Sequence, residues 1–249
     1  MGIELKKASV PTGLRVYAVG DVHGCLNELQ AMLSLIKRDL SQNSTDQYKL
    51  IFTGDYMDRG PRSKGVLSLL MMLMDRDPNV ICLCGNHDLA LLKFMSDPFK
   101  YGPLFFKNGG TRTLRSFGVR VIPGVISDEH MHEIHAFSRL IVNPLHLAFL
   151  SGLPTSKTIG DYFFCHAGIR PGVALKKQSI ADLTFIRDDF LDDTTLHEKV
   201  IVHGHTARDE VDVQNNRINV DTRCHASGVL SCLVLEGSEH RFLQTKAGK

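Results

Sequence analysis

The chain has 249 residues, 43% of them hydrophobic and 22% charged, with a formal net charge of +2. That length and mix suit one large or two small soluble domains. The near balance of charge, with Lys and Arg scattered along the chain, excludes a nucleic-acid footprint or attraction to an anionic membrane, so neither partner is expected. The six cysteines are expected to be reduced, in a cytoplasmic protein. Met1 to Lys7 has no apolar leader core, and no run approaches the roughly 18 apolar residues of a spanning helix.

In chain order, Arg15 to Val19 is a β-prone run between turn residues and reads as a first buried strand. Gly20-Asp21-Val22-His23-Gly24 turns the chain, and Leu26, Leu29, Leu33 and Ile36 then recur at helical spacing through Leu40. The unit repeats with strand Tyr48 to Thr53, the loop from Asp55 to Arg62, and a helix from Ser63 to Arg76. It repeats again with strand Val80 to Leu83, a loop holding Asn86 and His87, and helix Leu89 to Met95. Right-handed crossovers would make the three strands parallel, with their carboxyl ends at one edge. Cys82 and Cys84 share one face of the third strand and read as buried structural thiols.

From 96 to 153 the character changes. Gly102-Pro103, Asn108-Gly109-Gly110, Gly118, Pro123-Gly124 and Asn143-Pro144 punctuate short helical pieces, including Asp128 to Ile141 and a helix from Pro144 to near Gly152. This stretch reads as a helical insert within a single domain of 1–249. His132-Glu133-Ile134-His135 falls one residue short of the H-E-x-x-H zinc motif and reads as a solvated helix face. Lys157 to Ile159 and Tyr162 to Cys165 form a hairpin around Gly160-Asp161. Val200 to Val202 leads into His203-Gly204-His205-Thr206, and Arg217 to Val220, Leu230 to Leu235 and Arg241 to Gln244 read as closing strands.

Four carboxylates, two imidazoles, an amide and a guanidinium thus gather at the ends of the first three strands. Such a mixed oxygen and nitrogen set is what a metal and phosphate site requires, and it suits Mn, Fe or Zn better than Ca or Mg alone. Two cations roughly 3.5–4 Å apart and sharing an oxygen are the general two-metal arrangement. A single Asp or His in such a loop is as often a helix cap or a satisfied buried imidazole, but five strand ends with compatible donors are not.

The motifs G-D-V-H-G, G-D-Y-M-D-R-G and G-N-H-D, followed by H-A-G at His166 and by H-G-H-T, resemble those of the PPP-type serine/threonine phosphatases of the calcineurin-like metallophosphoesterase superfamily. The resemblance runs from about Val16 to Leu235. It implies an α/β fold, an αββα sandwich of two mixed sheets flanked by helices, and hydrolysis of phosphomonoesters at a dinuclear centre. It implies Asp21, His23 and Asp55 at the first metal, and Asp55, Asn86, His166 and His205 at the second, with Mn the first candidate cation. His87 would be the general acid, oriented by Asp58. Arg59 and, on position more than motif, Arg187 would bind phosphate. His203 is excluded as a ligand, since the relatives place the metal histidine directly before the Thr.

Asn108 to Thr111 resembles a segment of bacterial relatives and reads as a loop near the substrate or a helix start. Those relatives carry D-T-G where this chain has Asp221-Thr222-Arg223. Arg tolerates a left-handed backbone poorly, so a rebuilt loop is expected there. The expected substrate is a phosphoprotein or a small phosphomonoester. A symmetrical dinucleoside polyphosphate hydrolase is the alternative, disfavoured by Asp58, and a metal-binding scaffold of the same fold is the non-enzymatic one. Oligomeric state is not legible.

Overall fold

The computed structural model describes residues 2–122 and 126–246. The turn read at Pro123-Gly124 lies outside them. Three apolar strands, β1 (Leu14–Val19), β2 (Gln47–Phe52) and β3 (Val80–Cys82), alternate with helices α1 (Leu26–Gln42), α2 (Ser63–Arg76) and α3 (Asn86–Ser96). The strands pair in parallel, as crossover connections require. The chain continues through α4 (Pro98–Lys107), α5 (Gly110–Phe117), α6 (Asp128–Ile141) and α7 (Pro144–Ser151). A second β segment follows, with β4 (Ser156–Ile159), β5 (Tyr162–Cys165), helices α8 (Ile180–Phe185) and α9 (Asp188–Leu191), β6 (Val200–His203), β7 (Asp212–Val213) and β8 (Arg217–Asn219). Short α10 (Cys224–Ser227) precedes β9 (Ser231–Glu236) and β10 (Glu239–Gln244).

Two five-stranded mixed sheets result, ordered β10-β9-β1-β2-β3 and β4-β5-β6-β8-β7. The period-2 alternation of the strands divides the core. Val16, Ala18 and Ile51 of the first sheet meet Phe164, Val202 and Ile218 of the second in one apolar cluster between the sheets. Tyr17, Val19 and Phe52 point the other way, under α1, α2 and α3. Phe163, Cys165 and Ile201 are covered by Leu183 and Phe190 of the outer helices on the far side. These layers make the expected αββα sandwich.

The helices of the insert join the cluster under the first sheet through Phe105, Leu114, Ile134 and Leu150. They hold no core of their own among the described residues. The hairpin β4–β5 pairs antiparallel, as read from the sequence. No helix of the described residues is long and apolar enough to cross a membrane.

One boundary differs from expectation in a way that matters. α3 begins at Asn86, so Asn86 and His87 lie in a first helical turn rather than a loop. Asp88 makes this possible: its carboxylate accepts the backbone N–H groups of Gly85 (2.8 Å), Asp55 (2.9 Å) and Tyr56 (3.1 Å), capping the helix and pinning the second loop to it.

Candidate metal centre and active site

The carboxyl ends of β1, β2 and β3 and those of β5 and β6 open onto the same place, and every expected ligand comes to it. Asp55 sits in the middle. Its Oδ2 lies 3.5 Å from His23 Nε2 and 3.8 Å from His87 Nε2, while Oδ1 lies 3.4 Å from His166 Nε2. Around His166 Nε2 are also Asn86 Oδ1 at 3.0 Å and His205 Nδ1 at 3.2 Å. Asp21 Oδ2 approaches His23 Nε2 at 4.0 Å and accepts the His205 backbone N–H. Two groups of donors thus share Asp55, one with His23 and His87, the other with His166 and His205.

The imidazoles are held with lone pairs turned inward. His23 Nδ1–H donates to the Met57 carbonyl (2.7 Å), and His166 Nδ1–H to that of Thr53 (3.1 Å). Each Nε2 is therefore left as a bare acceptor among other acceptors. His23 Nε2 is buried with no hydrogen-bond partner. Burial holds His23 well below its usual range, and burial with His166 pushes His205 down to about 2, so neither gains a proton to fill the gap.

The two carboxylates differ. Burial, then Asp221 and Asp55, raises Asp21 well above the carboxylate range. Asp55 is held well below that range despite burial, because the imidazoles of His166 and His87 face it. Converging lone pairs and buried acids without protein cations between them are what divalent metals satisfy. The donor set therefore fits two cations.

Close approach dictates the glycines of two motifs. A Cβ on Gly85 would fall 2.2 Å from Asp55 Oδ1, and one on Gly204 would fall 2.1 Å from Asp21 Oδ1. Among the described residues, six non-glycine residues adopt positive φ: His23, Asp55, Asp58, Arg59, His205 and Arg223. Five of them are expected site residues, and strain of this kind is retained where function needs the geometry.

Beside the metal donors, His87 Nδ1–H donates to Asp58 Oδ2 at 2.6 Å, and Arg59 donates to His87 Nε2 at 3.1 Å. Burial lowers the His87 pKa, but Asp55 and Asp58 outweigh it and the net shift is upward. Arg187 lies at the rim, exposed, its guanidinium donating to Thr206 Oγ1 at 3.4 Å and close enough to depress His205. His203 is excluded from the donor groups: its Nδ1–H donates to the Gly204 carbonyl, and burial pushes it down to about 3. Cys82 and Cys84 are buried thiols outside every donor group, and His135 of α6 bonds the Met95 carbonyl.

Several participants were not legible. Thr113 of α5 donates to Asp58 Oδ1 (2.6 Å) and accepts the Asp58 N–H (2.8 Å), fixing the residue that fixes His87. Arg112 donates to the Arg59 carbonyl at 2.7 Å. The Asn108-Gly109 segment is a helix start: Gly109, at φ 107°, immediately precedes α5 and packs against Arg59. His225 stands edge-on to His23, ring centroids 5.2 Å apart, with Nδ1 buried and unpartnered. Burial and then Arg59, Arg223, His87 and Arg112 push it down to about 4. Of these, only the Asn108-Gly109 segment carried a sequence signal, as a helix start resembling one in bacterial relatives.

The rebuilt loop expected at Arg223 is not found. Arg223 takes the left-handed conformation itself, φ 59° and ψ 45°, with its N–H donated to Asp221 Oδ1 at 2.8 Å. Its guanidinium pairs with Asp209. The carboxylate acceptor stabilises a backbone turn that the side chain disfavours.

The profile of the calcineurin-like phosphoesterase family matches residues 14–230. The chain is a calcineurin-like phosphoesterase. It is therefore a metal-dependent phosphoesterase with a dinuclear His/Asp centre, and the profile covers β1 to β8 and the helices between, ending just before β9. The phosphoesterase is 30% identical over 231 residues to the asymmetrical bis(5'-nucleosyl)-tetraphosphatase PrpE of Oceanobacillus iheyensis, covering 85% of this chain and 84% of that protein. It is 40% identical to the symmetrical bis(5'-nucleosyl)-tetraphosphatase of Methylococcus capsulatus, but over only 79 residues, 32% of this chain and 26% of the relative. A crystal structure assigned provisionally as a diadenosine tetraphosphatase superposes with TM-score 0.61 at 25% identity, covering 97% of this chain and 100% of the other.

Proposed function

We propose that this phosphoesterase hydrolyses dinucleoside polyphosphates, and the observation that carries the reading is the near full-length similarity to a bis(5'-nucleosyl)-tetraphosphatase. The site supports it. Arg59, Arg112, Arg187 and Arg223 all stand close enough to the site to depress His225 or His205. Several guanidiniums around one site suit a chain of phosphates.

In this reading Asp21, His23 and Asp55 hold one divalent cation, and Asp55, Asn86, His166 and His205 the other, Mn being the first candidate. When bound, such a pair supplies positive charge at the phosphoryl group and acidifies water toward neutrality. Arg59 and Arg187 hold the phosphate oxygens of the group under attack, and Arg223 with Arg112 the neighbouring phosphates. Once phosphate oxygens draw Arg59 away from His87 Nε2, that nitrogen is free to take up a proton and deliver it to the departing oxygen, and Asp58, itself fixed by Thr113, keeps the ring aligned through Nδ1.

A second reading, a serine/threonine protein phosphatase, draws on the 2.6 Å His87–Asp58 contact, since a proton donor matters most for an alkoxide leaving group. That contact alone discriminates less than was expected of it. Asp58 is also tied to Thr113, so the contact belongs to a fixed scaffold that serves any phosphate substrate.

The test is a side-by-side measurement on metal-stripped, Mn-reconstituted enzyme with diadenosine tetraphosphate, a phosphoserine peptide and an aryl phosphate. The dinucleotide is expected to have the highest kcat/KM, and separation of ATP plus AMP from ADP alone reports where the chain is cut. A preference for the phosphopeptide would overturn the reading and promote the second.

A further inference from the structure

Cys25 and Cys224 form a second kind of cluster beside the active site. Their Sγ atoms and a carboxylate oxygen of Glu28 lie within 4.8 Å of one another. Cys25 immediately precedes α1 and Glu28 sits in its first turn, three residues on, so both face one side of the helix start. Cys224 opens α10 across from them. Both thiols are buried, yet a cleft of about 360 Å³, lined by Cys25, Glu28, Arg62, Cys224 and His225, reaches them from solvent. Arg62 does not neutralise Glu28: its guanidinium donates to Asn27 Oδ1 at 2.9 Å.

The other thiols keep different company. Cys25, like Cys84, Cys165 and Cys232, donates to a backbone carbonyl, in its case that of His23 at 3.6 Å, but among the described residues Cys82, Cys84, Cys165 and Cys232 join no donor group. Two sulfurs and one carboxylate, buried on one side and open to a cleft on the other, match three protein ligands of a tetrahedral site with a free fourth position. The sulfurs also set this donor set apart from the oxygen and nitrogen donors of the dinuclear centre.

We infer that Cys25, Cys224 and Glu28 form a third cation site, selective for a thiophilic divalent ion of the zinc class. Binding replaces the two thiol protons, which leave to solvent, and joins the G-D-V-H-G-C loop to α10. The first carries His23 and the second His225, so an ion here braces two residues of the active site from behind.

The experiment uses the reduced, Mn-loaded enzyme titrated with Co²⁺ while the near-ultraviolet sulfur-to-cobalt charge-transfer absorption is followed. The donors of the dinuclear centre include no sulfur, so cobalt exchanging there gives no such band. The expected result is a band that saturates at one equivalent, is erased by Zn²⁺, persists in Cys82→Ser, and is lost in Cys25→Ser and Cys224→Ser. Glu28→Gln leaves the buried thiols in place and should shift the Zn²⁺ titration by at least roughly tenfold, the lower end of what a change in a metal's surroundings produces. Absence of the band in wild-type protein whose thiols react freely with a thiol reagent overturns the inference. So does a band unchanged in Cys224→Ser, or a Glu28→Gln titration identical to wild type.

Discussion

Arg223 holds a left-handed backbone that costs a side-chain-bearing residue roughly 1–2 kcal/mol, part of which glycine would give back in chain entropy. Its exposed pair with Asp209 offsets little of that. Arg223→Gly should therefore raise the unfolding free energy by about 0.5–1 kcal/mol, read from urea denaturation, while raising KM for diadenosine tetraphosphate several-fold. A variant more stable but unchanged in KM would remove Arg223 from the substrate. At His87 the chemistry separates the two readings of function. General acid catalysis is typically worth ~10²–10⁴-fold, and a nucleotide phosphate leaves with far less help than a serine alkoxide. His87→Asn should thus cost a phosphoserine peptide much more than it costs diadenosine tetraphosphate. Equal losses on both substrates, with metal content intact, would make His87 a phosphate ligand rather than an acid.

Asp39 ties three elements together. It lies buried on α1, where its carboxylate accepts both Arg241 contacts from β10 at 2.7 Å and further bonds from Tyr17 and Arg15 of β1. Burial alone would raise its pKa, but Arg241, Tyr17 and Arg15 hold it below the ordinary carboxylate value. The stability it contributes is therefore complete above the unfolded pKa of roughly 4 and fades as pH falls through the folded one. Asp39→Asn should lose about 2 kcal/mol at neutral pH, the scale of a charged hydrogen bond, and the gap to wild type should narrow below about pH 4. A gap independent of pH would assign the loss to packing. The strands and helices that carry the metal ligands were legible because each is a short apolar run ending in Gly and a polar cluster. The start of α3 was not, because its first turn is polar and its cap, Asp88, works through neighbouring loops. Gly102 and Pro103 read as punctuation yet lie inside α4, where Met131 packs so closely that a Cβ on Gly102 would fall 2.7 Å from it. Thr113, Arg112 and His225 reach the site from α5 and α10 on no local motif, and only tertiary packing puts them there.

Across the whole molecule, the dinuclear centre is where the two sheets are joined by chemistry rather than by apolar packing. Asp21, Asp55 and Asn86 come from the ends of the first sheet, and His166 and His205 from the ends of the second. A cation held by donors from both binds the folded chain and not the unfolded one, so its binding energy becomes stability. At a thousandfold excess over Kd that is roughly 4 kcal/mol per site. Removing metal should therefore abolish hydrolysis and also lower Tm, and returning Mn should raise Tm in step with its concentration. Asp55→Asn, which weakens the donor shared by both groups, should blunt the Tm response and the activity together, whereas His203→Ala should leave the Mn dependence of both unchanged. The sharper readout is hydrogen exchange. Because the ligands span both sheets, protection at the ends of β1 and β2 and at the ends of β5 and β6 should rise together on Mn addition. Protection rising on one sheet alone would mean that the cations are held within that sheet, and the assignment of His166 and His205 to a shared centre would fail.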